Sequence, residues 1–286
     1  MVLTLASLEQ AGPLGLGVDA AVEWLLNNGQ GLFDVVQVAI ERLTATLEFV
    51  LAQPAPWLFA LVVAVVGWRL VGGSFALFSL LGLNVVLALG LWEPMLATLA
   101  LVITSSLLAL LLGFPLAVLG TRQPWLWRLL RPGLDLMQTM PAFVYLIPAV
   151  MLFSTGAVPA IIATLIFAMP PIVRLTYLGI TQVPTDLVEA GRSFGCSDLQ
   201  LLWMVQLPSA LPTVMSGVNQ TIMLALSMVV ITSMIGGGGL GDVVLRGIQQ
   251  LNVGLGFEGG IAVVILAVIL DRLSQGLSPS NARRQR

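Results

Sequence analysis

The chain has 286 residues, 58% of them apolar and only 9% charged, with a mean hydropathy of +1.00. A soluble domain carries about a quarter charged residues, so a soluble globular protein is excluded and a membrane protein is expected. Twelve Arg, fourteen acids, no Lys and no His exclude a Walker A lysine, a Schiff base, a Ser-Lys dyad, a His-centred triad and an imidazole metal site, while a single cysteine, Cys196, excludes an internal disulfide.

Six of the acids (Glu9, Asp19, Glu23, Asp34, Glu41, Glu48) stand in the first fifty residues beside one Arg, Arg42. Residues 1–10 carry no basic n-region, which reads against a cleaved secretory signal. Phe33, Val36, Ile40, Leu43, Leu47 and Val50 recur at intervals of three and four, the spacing of one apolar helical stripe. Residues 1–53 therefore read as an acidic outer segment with an amphipathic helix. That helix lies on the membrane face or packs on a bundle; both readings stand at this point.

Crossing ~30 Å of hydrocarbon takes about 20 apolar residues in a helix. Seven segments read as spans: 54–71, 74–91, 95–119, 134–153, 158–178, 211–235 and 259–270, the last extending in both directions. The first two, within 54–92, precede a core at 93–277, and a basic tail follows at 278–286. With the N-terminus outside, Arg69, Arg122, Arg128, Arg131, Arg192, Arg272, Arg283, Arg284 and Arg286 fall inside and only Arg42 and Arg246 outside. The positive-inside rule then predicts N-out and C-in. Arg174 alone lies well inside a predicted span, Arg69 standing near the end of its own. Arg174 reads as a snorkelling side chain, a structural pair or a functional contact. Pro170 and Pro171, just before it, imply a kink.

The loop at 183–208 is too polar to be membrane-buried. Pro184, Thr185 and Asp186 form a helix start. Gly191 and Gly195 predict a break, and a second helix runs through Leu199, Leu202, Trp203 and Val205 until Pro208. The physical reading is a helical projection joined to two spans, able to dock in a partner's groove and transmit force. Gly236, Gly238 and Gly241 spell G-x-G-x-x-G, yet they follow a membrane helix with no preceding strand, so they read as a flexible turn and not a nucleotide site.

Glu189, Ala190, Gly191, three residues, Gly195, nine residues, Val205, one residue, Leu207 and Pro208 resemble the EAA motif of ABC importer permeases. Gly191 stands where the consensus has Ala, and Val205 where it has Ile. The stretches beginning at Leu134, Phe167 and Leu211 further resemble permeases of the glycine betaine/proline betaine (ProW-like) family, most densely over 93–277. The resemblance implies an all-α polytopic fold with a type I ABC importer permease core, and an ATPase-coupling role for Glu189, Ala190, Gly191, Gly195, Val205, Leu207 and Pro208. It implies a homodimer of permeases in a bacterial inner membrane, joined by two ABC ATPase subunits and a periplasmic or lipid-anchored betaine-binding protein. This chain is then no enzyme, binds no cofactor, metal or nucleic acid, and leaves ATP and Mg to the ATPase partner.

The implied cargo is a quaternary-ammonium osmoprotectant. Choline, carnitine or another small zwitterion is the alternative, and an ion-coupled secondary transporter the more distant one. A betaine joins a quaternary ammonium, which is held well over aromatic faces, to a carboxylate. Tyr145, Phe143 and Phe167 within the spans are accordingly substrate-path candidates. Asn219 and Gln220 join them as polar groups that must face protein or water in a membrane, with interhelical hydrogen bonding as their other reading.

Overall fold

The computed structural model describes residues 13–277; Glu9 and the basic tail at 278–286 lie outside the described residues. The elements in chain order are α1 (Pro13–Ala52), α2 (Pro56–Leu70), α3 (Gly73–Ala88), α4 (Trp92–Arg122), α5 (Pro124–Thr139), α6 (Ala142–Phe153), α7 (Ala157–Thr181), α8 (Thr185–Ser193), α9 (Asp198–Leu201), a π-helical stretch (Leu202–Gln206), α10 (Leu207–Ser227), α11 (Val229–Ser233), α12 (Leu240–Gln249) and α13 (Val253–Gly276). Every regular element among the described residues is thus helical, and a helix satisfies its own backbone groups in lipid.

Four helical segments are long and apolar enough to cross a membrane: Trp92–Arg122, Ala157–Thr181, Asp198–Ser233 and Val253–Gly276. Two bent pairs raise the number to six if each forms one span. The 134–153 segment, expected as one span, is bent by 100° between α5 and α6. Its cause is Pro141, which supplies no amide donor and holds Met140 in an extended conformation (φ −72°, ψ 139°). Likewise Pro54 and Pro56 interrupt the chain before α2, and Asn28–Ala52 meets Pro56–Leu70 at 95°. The 74–91 segment shortens to the 16 residues of α3, about 24 Å at helical rise. The last expected span does extend in both directions, to Val253–Gly276.

Helices α4, α7 and α10 form the centre. In lipid, helices gain little from hydrophobic association and rely on close backbone packing at small residues. Gly217 of α10 meets this requirement: a Cβ there would stand 3.3 Å from the Pro171 carbonyl oxygen and 3.2 Å from Leu175 Cβ. Helix α7 itself continues unbroken through Pro170 and Pro171. On the other flank, α2, α3 and α13 pack on α4 through Phe75, Leu83, Met95, Leu99, Ile265 and Ile269, with Phe59 edge-on to Trp92 at 5.5 Å.

The apolar stripe of α1 turns toward this bundle. Ile40 is buried with Leu101, Phe153, Val158 and Ile161, and Phe33 and Val36 pack on the same group. Phe33 stands edge-on to Phe153 at 5.6 Å, and Thr44 meets Thr104 through their hydroxyls at 3.4 Å. The glycine-rich turn after α11 is also held in place rather than loose. The Gly156 amide donates to the Ile235 carbonyl at 2.9 Å and the Gly237 amide to Thr232 at 3.0 Å. The Leu240 amide donates to Thr98 Oγ1 at 2.8 Å. These bonds close the end of the bundle opposite the 185–206 projection.

Candidate functional site

The projection begins as α8 and ends in a turn set by one residue. Gly195 has φ +80°, the left-handed region that glycine enters without a Cβ penalty. Around it the Cys196 amide donates to the Gly191 carbonyl at 3.1 Å, and the Gly195 amide to the Arg192 carbonyl at 2.9 Å. That pair of bonds is a Schellman motif, which satisfies carbonyls the helix end would otherwise leave open. The expected break therefore falls at Gly195 alone; Gly191 lies inside α8, buried. Its role is contact. A Cβ at Gly191 would stand 2.7 Å from Leu201 Cδ1 and 3.4 Å from Val205 Cγ2, so the small residue lets α8 lie against the second helix.

That second helix starts at a capping box. Ser197 Oγ accepts from the Gln200 amide at 3.4 Å while Gln200 Oε1 accepts from the Ser197 amide at 2.9 Å, which satisfies two orphan donors reciprocally. It does not end at Pro208. The Leu207 amide reaches back five residues to the Leu202 carbonyl, making a π turn, and the backbone continues as α10. Pro208 sits in the first turn of α10, where the π stretch absorbs its missing donor. The projection is thus one continuous lever with the Asp198–Ser233 span. Arg122, at the end of α4, adds a cross-tie by donating from Nη2 to the Asp198 carbonyl at 2.9 Å.

The lever's tip is apolar and open. Phe194 is 90% exposed, and Leu199, Trp203 and Met204 are exposed beside it. Glu189 and Ala190 are exposed on α8. Between α8 and the ends of α4 and α7 lies a recess of about 680 Å³ lined by Arg122, Thr181, Glu189, Arg192, Asp198 and Gln206. Phe194 and Arg122 were not marked by the motif. The capping box, however, is legible in the spacing of Ser197 and Gln200.

The substrate-path candidates do not converge on one place. Tyr145 and Phe167 share an apolar cluster with Leu146, Ala163 and Met228. The Tyr145 hydroxyl donates to the Met137 carbonyl at 2.7 Å, with Leu136 O at 3.2 Å, and so caps the end of α5 across the Pro141 bend. Phe143 is exposed away from that cluster and Gln220 is exposed on α10. Asn219 bridges two helices: its Nδ2 donates to Asp271 Oδ1 at 3.1 Å, and Ser274 of α13 donates its hydroxyl to Asn219 Oδ1.

Arg174 forms the one ion pair among the described residues, Nη2 to Asp135 Oδ1 of α5 at 2.5 Å, with side chains 37% and 56% exposed. An arginine at the centre of a span costs roughly 2.5–3.5 kcal/mol to insert, and intramembrane charges pair with one another, as Arg174 does with Asp135. Three residues along α7, Tyr177 stacks face to face on Trp127 of α5, centroids 3.5 Å apart and planes 2° from parallel.

A helical membrane core with a capped, exposed projection between two of its spans is the architecture of a transport permease. Residues 109–283 match the family described as binding-protein-dependent transport system inner membrane component, and the chain belongs to that family. It is 48% identical, over 95% of its own length and 77% of the relative's, to the glycine betaine/proline betaine transport system permease protein ProW of Escherichia coli (strain K12). It is 43% identical to the glycine betaine transport system permease protein OpuAB of Bacillus subtilis (strain 168), over 95% of this chain and 96% of that one. The MetNI methionine ABC transporter in an inward-facing conformation shares the fold, with a TM-score of 0.56 and 24% identity over 61% of this chain and 88% of the transporter chain.

Proposed function

We propose that the chain is the membrane subunit of an ATP-driven importer of glycine betaine and related quaternary-ammonium osmoprotectants, oriented N-out and C-in. The observation that carries this reading is the 185–206 lever, with its αL turn at Gly195, close contact at Gly191 and apolar tip at Phe194. Burying one such phenylalanine in a partner's groove contributes about 1.5–3 kcal/mol, enough to make it a docking anchor. Two copies of the chain pair with two ATPase subunits, which hold ATP and Mg, and an external binding protein delivers cargo to the opposite end. Closure of the ATPase pair moves the docked levers, and the continuous backbone into α10 carries that movement to the core. The lever transmits a bias only because its contacts differ between the two states.

The names of these relatives support glycine betaine as cargo. The test is uptake of labelled glycine betaine into vesicles holding the chain with its ATPase and binding protein. Accumulation that requires all three components and ATP is expected. Accumulation by the isolated chain under an ion gradient would replace this reading with that of a secondary transporter.

A further inference from the structure

On the seam between α5 and α7 the structure gathers a guanidinium, a carboxylate and two aromatic rings. Arg174 and Tyr177 are three residues apart on α7 and so share a face. Arg174 pairs with Asp135 and Tyr177 stacks on Trp127, both of α5. The four groups therefore form two adjoining contacts between the same two helices. Both charged side chains are partly exposed on the surface of the chain (37% and 56%), and both rings are half-buried. One partner of this pair, Arg174, lies inside a span.

We propose that this seam is a binding site for a small zwitterion carrying a quaternary ammonium and a carboxylate, and that the Arg174–Asp135 pair holds it closed until cargo arrives. The guanidinium is a planar fork that matches a carboxylate with two parallel hydrogen bonds. A quaternary ammonium has no N–H to donate, so a carboxylate charge and ring faces are the groups that receive it. When cargo enters, its carboxylate takes Arg174 from Asp135, and its ammonium settles against Asp135 on the side of the stacked Trp127 and Tyr177 rings. Each protein charge exchanges one partner for another, so the site opens without stranding a charge in the membrane. The inference rests on the betaine-import reading and deepens it, since it names the groups in the chain that read both ends of the cargo.

The test compares the wild-type complex, with its ATPase and binding protein, to the complex bearing Asp135→Asn and Arg174→Gln together. That double variant keeps amide hydrogen bonding between α5 and α7 but removes both charges. Uptake of labelled glycine betaine is measured in proteoliposomes, and its equilibrium binding in nanodiscs lacking the binding protein. Assembly and ATP hydrolysis are followed in the same samples. Expected are saturable wild-type binding and a loss of at least tenfold in both uptake and affinity for the variant, with assembly and hydrolysis retained. Arg174→Lys should recover part of the affinity. Equal uptake and affinity in the double variant, or no saturable binding to a wild-type complex that imports betaine, overturns the site alone. A fully assembled wild-type complex that takes up no betaine overturns the import reading beneath it.

Discussion

At the residue scale, the proposed coupling role rests most on Gly195, where φ is +80° and no Cβ is present. A left-handed conformation costs a residue with a Cβ roughly 1–2 kcal/mol, and more when the side chain is β-branched. Gly195→Val should therefore disorder the turn that sets the lever's tip, while the spans insert as before. Uptake is expected to fall about tenfold with ATP hydrolysis persisting, as read by both rates in one preparation. Wild-type uptake by an assembled Gly195→Val complex would remove this residue from the coupling device. Gly195 was legible in the sequence because a motif marked it. Tyr145 was legible only as an aromatic residue in a span. Its hydroxyl caps the end of α5, a role that arises from a bend between α5 and α6 that apolar run length does not encode.

At the element scale, the lever is α8, α9 and the π stretch running into α10. Arg122 fixes it to α4 through one bond to the Asp198 carbonyl at 2.9 Å. From sequence this arginine served only to orient a span, since 76 residues separate it from its acceptor. Arg122→Gln shortens the donor arm, loosens the start of α9 and leaves Gly195 and Phe194 untouched. Such a variant should import several-fold more slowly at unchanged expression, a hydrogen bond to a charged donor contributing about 1.5–3 kcal/mol. Unchanged import would show the cross-tie to be dispensable. The spans themselves were readable where a charge-free run exceeded twenty residues, as in α4. The bend within 134–153 was not readable, because hydropathy treats Pro141 as one more apolar residue, while its ring and missing amide turn the helix by 100°.

At the scale of the whole molecule, charges are few: twelve Arg and fourteen acids in 286 residues. The described residues hold one ion pair, on the α5–α7 seam. The glycine-rich turn closes the opposite end of the bundle. An apolar tip on one end of a rigid core predicts that the motor attaches there. The most direct measurement is cross-linking from Phe194→Cys in a Cys196→Ser background, within the complete complex in its native membrane. The account predicts a specific cross-link to the ATPase subunit whose yield changes when ATP is added. A cross-link to the external binding protein in place of the ATPase would contradict both the coupling assignment and the N-out, C-in orientation.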